Sequence, residues 1–121
     1  MKQFVVLLIA LTAAPIAAEP WSCSFTVECI AAEGCSASAF DVEVIAADHE
    51  GALFLSSVTG DSRVARLTER GAVPATYAGA GERGLAELLT IEPDLTALMS
   101  VHLFDGVAAS VTYFGTCEEL R

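Results

Sequence analysis

The sequence has very little positive charge. Its only lysine is Lys2, basic residues number six in all, and 16 acidic residues leave a formal net charge of −10. Nucleic acids and anionic membrane surfaces repel such a chain, because both carry dense negative charge. We therefore expect no nucleic-acid partner. The partner is an unknown protein or small ligand, and a cationic one is favoured by the field of the chain.

Sequence patterns that mark catalytic centres are also missing. The chain contains no Gly-x-Ser-x-Gly nucleophile elbow, and the glycine-rich residues 79–84 lack the Lys-Ser/Thr pair of a phosphate-binding loop. The Gly-Asp-Ser triplet at residues 60–62 is explained by a hairpin turn, so we do not interpret it as a catalytic motif. General acid–base catalysis needs a positioned nucleophile or a substrate cleft, and no residue pattern indicates either. The sequence therefore predicts a non-enzymatic protein with no cofactor.

A membrane-spanning helix is not expected, because such a helix needs roughly 20 apolar residues. The shorter apolar run Phe4–Leu11 follows the basic residue Lys2 and precedes small residues up to position 18. Basic, apolar and small-residue segments in this order are typical of a secretory signal. We predict that residues 1–18 are a signal peptide. Residues 19–121 then form a single domain, periplasmic or secreted, with no membrane anchor after cleavage.

The four cysteines are Cys23, Cys29, Cys35 and Cys117. An even number in an exported chain predicts two disulfides, and the absence of a Cys-x-x-Cys pair argues against a metal site. If residues 23–29 are extended, the Cα atoms of Cys23 and Cys29 stand about 20 Å apart, and a disulfide needs about 7 Å. Cys29 and Cys35 flank a turn. We favour Cys29–Cys35 with Cys23–Cys117, and Cys23–Cys35 with Cys29–Cys117 is the alternative.

Short strands separated by turn signals account for the rest of the chain. Cys23, Phe25, Val27 and Cys29 alternate with polar residues, so we expect these four side chains on one buried face. Residues 40–44 alternate in the same way, and apolar segments then recur every ten or so residues. The fold class predicted is all-β, a small antiparallel barrel or sandwich of about seven or eight short strands with two disulfides.

The clearest turn signal is Asp105-Gly106, because Asp-Gly suits the left-handed backbone of a two-residue hairpin turn. Such a turn pairs His102 with Ala109 and Ser100 with Val111. Ala109, Val111 and Cys117 are separated by even numbers of residues, so they share one face of the last strand. His102 shares that face because it is paired with Ala109, and we expect this face to be the core side of the hairpin.

Two alternatives concern the same hairpin. Residues 94–104 also carry apolar residues at helical spacing, and Pro93-Asp94 can open a helix. We prefer a strand, because residues 107–114 need an adjacent partner.

The opposite face of the hairpin is apolar too, which makes a dimer or a covering partner possible. That face carries Met99, Val101, Leu103 and Phe114.

Four residues are candidate binding residues. His102 can bind a ligand or respond to pH at a barrel mouth, although a hydrogen-bonded structural histidine is the commoner case. Asp48, His49 and Glu50 carry groups that bind divalent metals. Adjacent strand residues point to opposite sides, so we interpret these three as a solvated turn and predict no metal site.

Three of the few basic residues, Arg63, Arg66 and Arg70, are close together in the sequence. They can capture a carboxylate or a phosphate. In so acidic a chain, we favour pairing with neighbouring Asp and Glu residues at the surface.

Three segments carry a resemblance to known proteins: residues 21–29 (Trp-Ser-Cys-Ser-Phe-Thr-Val-Glu-Cys), 33–35 (Glu-Gly-Cys) and 112–118 (Thr-Tyr-Phe-Gly-Thr-Cys-Glu). With the signal peptide, this layout resembles small exported bacterial proteins of unassigned function. It is loosely similar to the periplasmic inhibitors of C-type lysozyme, small disulfide-linked β-barrels that pair an early cysteine with a late one. Their Ser-Gly-x-x-Tyr loop is absent, so no inhibitory residue is carried over.

The function expected from these observations is a non-enzymatic periplasmic or secreted binding or interaction module. It presents loops to a protein or small ligand. The alternative, implied by the resemblance, is a periplasmic inhibitor of a cationic hydrolase such as lysozyme, because an acidic surface suits a cationic partner.

Overall fold

The computed structural model describes residues 19–47, 51–79, 84–104 and 106–120. Within these ranges the chain forms eight antiparallel strands in sequence order, and β8 pairs with β1 to close a barrel. The strands are β1 (Trp21–Ile30), β2 (Gly34–Ala47), β3 (Ala52–Ser57), β4 (Gly60–Arg66), β5 (Ala75–Gly79), β6 (Leu85–Ile91), β7 (Thr96–Phe104) and β8 (Ala108–Glu119). The predicted all-β fold is confirmed, and of the two architectures expected it is the barrel.

Every strand pairs with a neighbour on each side, which protects much of the sheet edge from aggregation. Residues 34–42 of β2 extend beyond its pairing with β3, which begins at Glu43. In the described part of the chain, no helix has the length and hydropathy needed to cross a bilayer. The predicted signal peptide, residues 1–18, lies outside the described residues.

Both disulfides join directly opposed residues of neighbouring strands. Cys23 pairs with Cys117 across β1 and β8, and Cys29 pairs with Cys35 across the β1–β2 hairpin. In each case the Cα atoms lie 4.0 Å apart, because the barrel wall brings the two residues face to face. The favoured connectivity is confirmed. Strand β1 extends through both of its cysteines, which is why Cys23 and Cys29 cannot bond to each other.

A β-bulge in β1 corrects one expectation about this strand. The register shifts between Phe25 and Val27, so that Thr26 has no partner in β8. Trp21, Cys23 and Phe25 are buried, as the alternation predicts, but Val27 is 38% exposed on the outer face. The extra residue of a bulge reverses the side-chain alternation that follows it, so Cys29 also faces outward.

The close approach of β8 to the bulge requires glycine at position 115. A Cβ atom built on Gly115 would lie 2.0 Å from the carbonyl oxygen of Ser24 and 2.7 Å from the Cα atom of Phe25. Any side chain here would push β1 and β8 apart beside the disulfide of Cys23 and Cys117.

Strand β7 corrects the predicted register of the last hairpin. Residues 96–104 form a strand, as preferred over the helix, but Phe104 pairs with Ala108, so the loop has three residues instead of two. Gly106 lies in this loop with φ of 75°, a left-handed conformation that glycine adopts without steric cost. The extra loop residue shifts the pairing by one, and a shift of one turns every side chain of β7 to the other face.

The buried residues of β7 are therefore Ala97, Met99 and Val101, not the set that contains His102. His102 pairs with Ser110 and is exposed on the outer face. Leu98 and Phe114 also face outward and are 41% and 45% exposed. The predicted core side of β8 is correct, because both Val111 and Cys117 are buried.

The core fills the barrel interior along most of its length. Its largest fully buried side chains are Trp21, Tyr77, Phe25, Leu89, Ile91 and Met99. Every buried side-chain nitrogen or oxygen atom of the described residues has a hydrogen-bond partner. The interior is thus packed, except at one end.

Candidate binding site

The two ends of the barrel differ in how completely side chains fill the interior. At the end where β1 begins, which we call the closed end, large side chains and a hydrogen-bonded network fill the interior. At the opposite end, where β1 passes into β2 through residues 31–33 and β3 into β4 through residues 58–59, the interior opens into a cavity. We call this the open end, and its cavity the cup.

The network of the closed end is centred on the carboxylate of Glu19. Tyr77 donates its hydroxyl to Glu19 Oε1 at 2.7 Å, and Arg66 donates Nε to the same oxygen at 2.7 Å. Trp21 Nε1 donates to the Tyr77 hydroxyl at 3.0 Å. The side chain of Glu19 is only 4% exposed, so these donors replace the water that a carboxylate would otherwise bind.

The acid–base properties of the closed end follow from these contacts. Burial raises the pKa of the Glu19 carboxyl, but hydrogen bonds from Arg66 and Tyr77 outweigh that effect and hold the pKa below its ordinary value. Burial, together with the hydrogen bond to the negative Glu19, raises the pKa of Tyr77 well above its ordinary value. The protonation states that hold the network together are therefore an ionised Glu19 and a neutral Tyr77.

Of the clustered arginines, Arg66 does capture a carboxylate, but its partner Glu19 is 47 positions away and does not belong to the neighbouring acidic residues. Arg66 faces the interior because it pairs with Tyr77 across β4 and β5. Arg63 and Arg70 are exposed.

The cup at the open end has a volume of about 250 Å³. Seven of the nine described residues around it are apolar or aromatic, and the other two are Thr59 and Glu87. The seven are Phe40, Leu85, Met99, Val101, Leu103, Val111 and Tyr113. This composition is that of a small-ligand site, with an apolar wall and a few polar groups that orient the ligand.

Aromatic rings form one wall of the cup. Phe40 and Tyr113 stack with ring centroids 4.8 Å apart, and the buried ring of Phe25 packs against both at 6.5 and 5.9 Å. Tyr113 forms a hydrogen bond with the carboxylate of Glu28, which shares its face because the two residues are paired across β1 and β8. Burial and the negative charge of Glu28 raise the pKa of the Tyr113 hydroxyl.

Glu87 carries the only charge among the described residues that line the cup. It lies on the inward face of β6, paired with Val101 of β7. The hydroxyl groups of Thr59 and Tyr113 complete the polar groups of the wall. This arrangement can accept a hydrogen bond or ion pair at one point and pack an apolar group everywhere else.

The candidate residues named from the sequence lie elsewhere. His102 borders two shallow grooves on the outer surface near the open end, each formed with Ala108 and Ala109. It is not in the cup. Asp48, His49 and Glu50 lie outside the described residues, and the described ranges contain no group of three or more His, Cys, Asp or Glu side chains placed to hold a metal ion.

Sequence reasoning missed Glu87 as a site residue, although a signal for it exists. Leu85, Leu89 and Ile91 share a parity with Glu87, so a carboxylate stands in the inward row of an apolar strand. The signal is weak because Leu88, on the opposite face, is also apolar and 45% exposed. Only the pairing of β6 with β7 identifies which row faces the interior.

Comparison of this chain with protein-family models, with curated proteins and with solved structures finds no match. The candidate site therefore rests on the geometry alone.

Proposed function

We propose that this chain is a non-enzymatic binding protein of the periplasm or extracellular space, and that the cup is its ligand site. The observation that carries the proposal is the contrast between a barrel end sealed by a satisfied network and an end where the described residues line an apolar cavity. Eight-stranded barrels have an interior just wide enough to be filled by side chains or to hold one small ligand. In this barrel, side chains fill the interior at the closed end, and we propose that the interior at the open end holds the ligand.

Export is part of the proposal. The amino-terminal pattern of basic, apolar and small residues supports it, and so do the two disulfides, which persist in oxidising compartments. Native mass spectrometry of protein isolated from the cell envelope without reduction tests this part. We expect the mass of residues 19–121 with both disulfides intact. A mass that retains residues 1–18 would contradict cleavage.

The size of the cup limits the ligand. A dry cavity of roughly 150 Å³ is large enough to bind benzene, and pockets for drug-sized molecules start near 300 Å³. A cup of about 250 Å³ therefore accommodates one ring or a short branched chain, with the rest of the ligand outside the mouth. We propose that the ligand inserts one compact apolar group between Tyr113 and Leu103.

The test uses an uncharged apolar fluorophore, N-phenyl-1-naphthylamine, whose emission rises in an apolar environment. We expect the oxidised protein to bind it with saturable enhancement. Replacing Leu103 by Trp fills the cup, because Leu103 lines it, and should remove this binding. Replacing Leu98 by Trp is the matched control, since Leu98 lies on the same strand but faces outward.

Circular dichroism and thermal unfolding establish that both variants fold before binding is compared. Equal probe binding by the two variants would overturn the cup as the site. Absence of saturable binding by the unmodified chain would overturn the proposed function. The inhibitor alternative would then be the one to test, by measuring whether the chain slows a cationic lysozyme in a turbidity assay.

A further inference from the structure

We propose that the cup selects ligands that carry a cationic amino or guanidinium group on a compact apolar body, with Glu87 as the group that recognises the charge. This inference rests on the proposed function, because it names the ligand class of the same site. It follows from the position of one acidic residue among the apolar and aromatic residues that line the cup.

Glu87 is held in the wall of the cup by the strand that carries it. Its neighbours of the same parity are Leu85, which lines the cup, and Leu89, which is fully buried. On the β5 side, Gly79 has no side chain to cover Glu87, and a Cβ atom built there would lie 3.4 Å from the Glu87 Cβ atom. Glu87 is therefore a partly exposed residue on the inward face of β6, where it lines the cup.

The described residues supply no cation to Glu87. Their salt bridge joins Arg66 to Glu19 at the opposite end of the barrel. The other two arginines in the described ranges are Arg63, which is exposed on β4, and Arg70, which is exposed after it. None of the three lines the cup.

A carboxylate beside apolar groups is stabilised when a donor or a cation binds to it. A ligand ammonium or guanidinium does so with charge-assisted hydrogen bonds, which are the strongest kind in proteins. A ligand carboxylate or phosphate at the same place would be repelled. The cup therefore discriminates by charge as well as by shape.

Two further features of the open end favour a cation. The stacked rings of Phe40 and Tyr113 line the cup, and aromatic rings attract cations electrostatically. Glu28 adds a second negative charge next to Tyr113. The net charge of −10 draws cationic ligands toward the chain from a distance.

The experiment compares two probes that share one naphthyl group, 1-naphthylmethylamine and 1-naphthalenemethanol, by isothermal titration calorimetry at low ionic strength. The amine is cationic at neutral pH and the alcohol is neutral. We expect the amine to bind about tenfold more tightly or better, which corresponds to about 1.4 kcal/mol. Glu87→Gln should remove this preference by weakening the binding of the amine more than the binding of the alcohol.

Glu43→Gln is the matched control, because it removes the same charge from the exposed outer face of β2. It should leave both affinities unchanged. Equal losses of amine binding in Glu87→Gln and Glu43→Gln would overturn the role of Glu87, since general charge attraction would then explain the preference. Equal binding of amine and alcohol by the unmodified chain would overturn the inference but leave the cup as an apolar binding site. If neither naphthyl probe nor the uncharged fluorophore binds, the proposed function fails with it.

Discussion

The closed and open ends of this barrel are built from the same eight strands but differ in how an inward-facing acidic residue is paired. At the closed end, Glu19 accepts hydrogen bonds from Arg66 and Tyr77 and is almost fully buried. At the open end, Glu87 lies in an apolar wall, and no cation among the described residues pairs with it. A polar group satisfied within the fold contributes to the fold, whereas one left accessible in a cavity is available to a ligand.

The two disulfides extend the comparison, and their removal should produce the largest effects. Cys23–Cys117 lies toward the closed end and spans 94 positions, while Cys29–Cys35 lies toward the open end and spans six. Because loop-closure entropy grows with the length of the loop, we expect Cys23→Ala/Cys117→Ala to lower the free energy of unfolding by about 4–5 kcal/mol. The pair Cys29→Ala/Cys35→Ala should lower it by about 2 kcal/mol.

Urea denaturation of the two double variants and the unmodified chain measures these free energies. The comparison fails if loss of the short-range disulfide destabilises the chain as much as loss of the long-range one. In that case the open end would contribute as much to folding as the closed end.

Next in size is the effect of the buried carboxylate. Glu19→Gln keeps an oxygen that can accept from Tyr77 but removes the charge that pairs with Arg66, so we expect a loss of about 1–3 kcal/mol in unfolding free energy. Glu87→Gln should change it by no more than about 0.5 kcal/mol, because no contact in the described part of the fold depends on that charge. Thermal unfolding of the two variants at neutral pH checks this, and equal losses would remove the distinction between the ends.

The pH dependence of stability sharpens the same prediction. The pKa of Glu19 is lower in the folded chain than its ordinary value of 4.5. Its stabilising contribution is therefore fully present above pH 4.5 and is lost as the pH falls through the lower folded pKa. The difference in stability between the unmodified chain and Glu19→Gln should shrink over that acid range. A constant difference down to low pH would contradict the assignment.

The smallest effect concerns the two tyrosines, one at each end. Burial raises the pKa of both, and the shift is the larger for Tyr77, which also contacts Glu19 at the closed end. Ultraviolet titration should find neither hydroxyl ionised at its ordinary pKa of 10.0, with Tyr113 ionising before Tyr77. Tyr113→Phe assigns the two steps by removing one of them. If Tyr113→Phe removed the later step instead of the earlier one, Tyr77 would be the tyrosine that ionises first, contrary to this prediction.

Local pattern was enough to predict much of the fold. Alternation in the first half of β1 predicted the buried Cys23 and Phe25, and extended geometry then excluded a bond from Cys23 to Cys29. The parity of Val111 and Cys117 predicted the inner face of β8. These features depend on neighbours in sequence or on the length of an extended chain, both of which can be read without a structure.

The site was harder to predict because its residues depend on register. One extra residue in the β7–β8 loop moved His102 to the outer face and Val101 to the inner one. One extra residue at Thr26 turned Glu28 toward Tyr113. Bulges and loop lengths are set by how strands twist and close against each other, and the apolar residues on both faces of these strands left either register compatible with the pattern.

The sequence by itself determined the class of the molecule: an acidic, disulfide-linked chain of short antiparallel strands, with the pairing of its cysteines restricted by reach. Tertiary structure decided that the sheet closes, that Glu19, 47 positions before Arg66, seals one end, and that Glu87 faces an open cup at the other. The physical reason is that hydrophobic alternation reports which residues can share a face. Which face is inside, and which distant groups meet there, is determined only when the last strand pairs with the first.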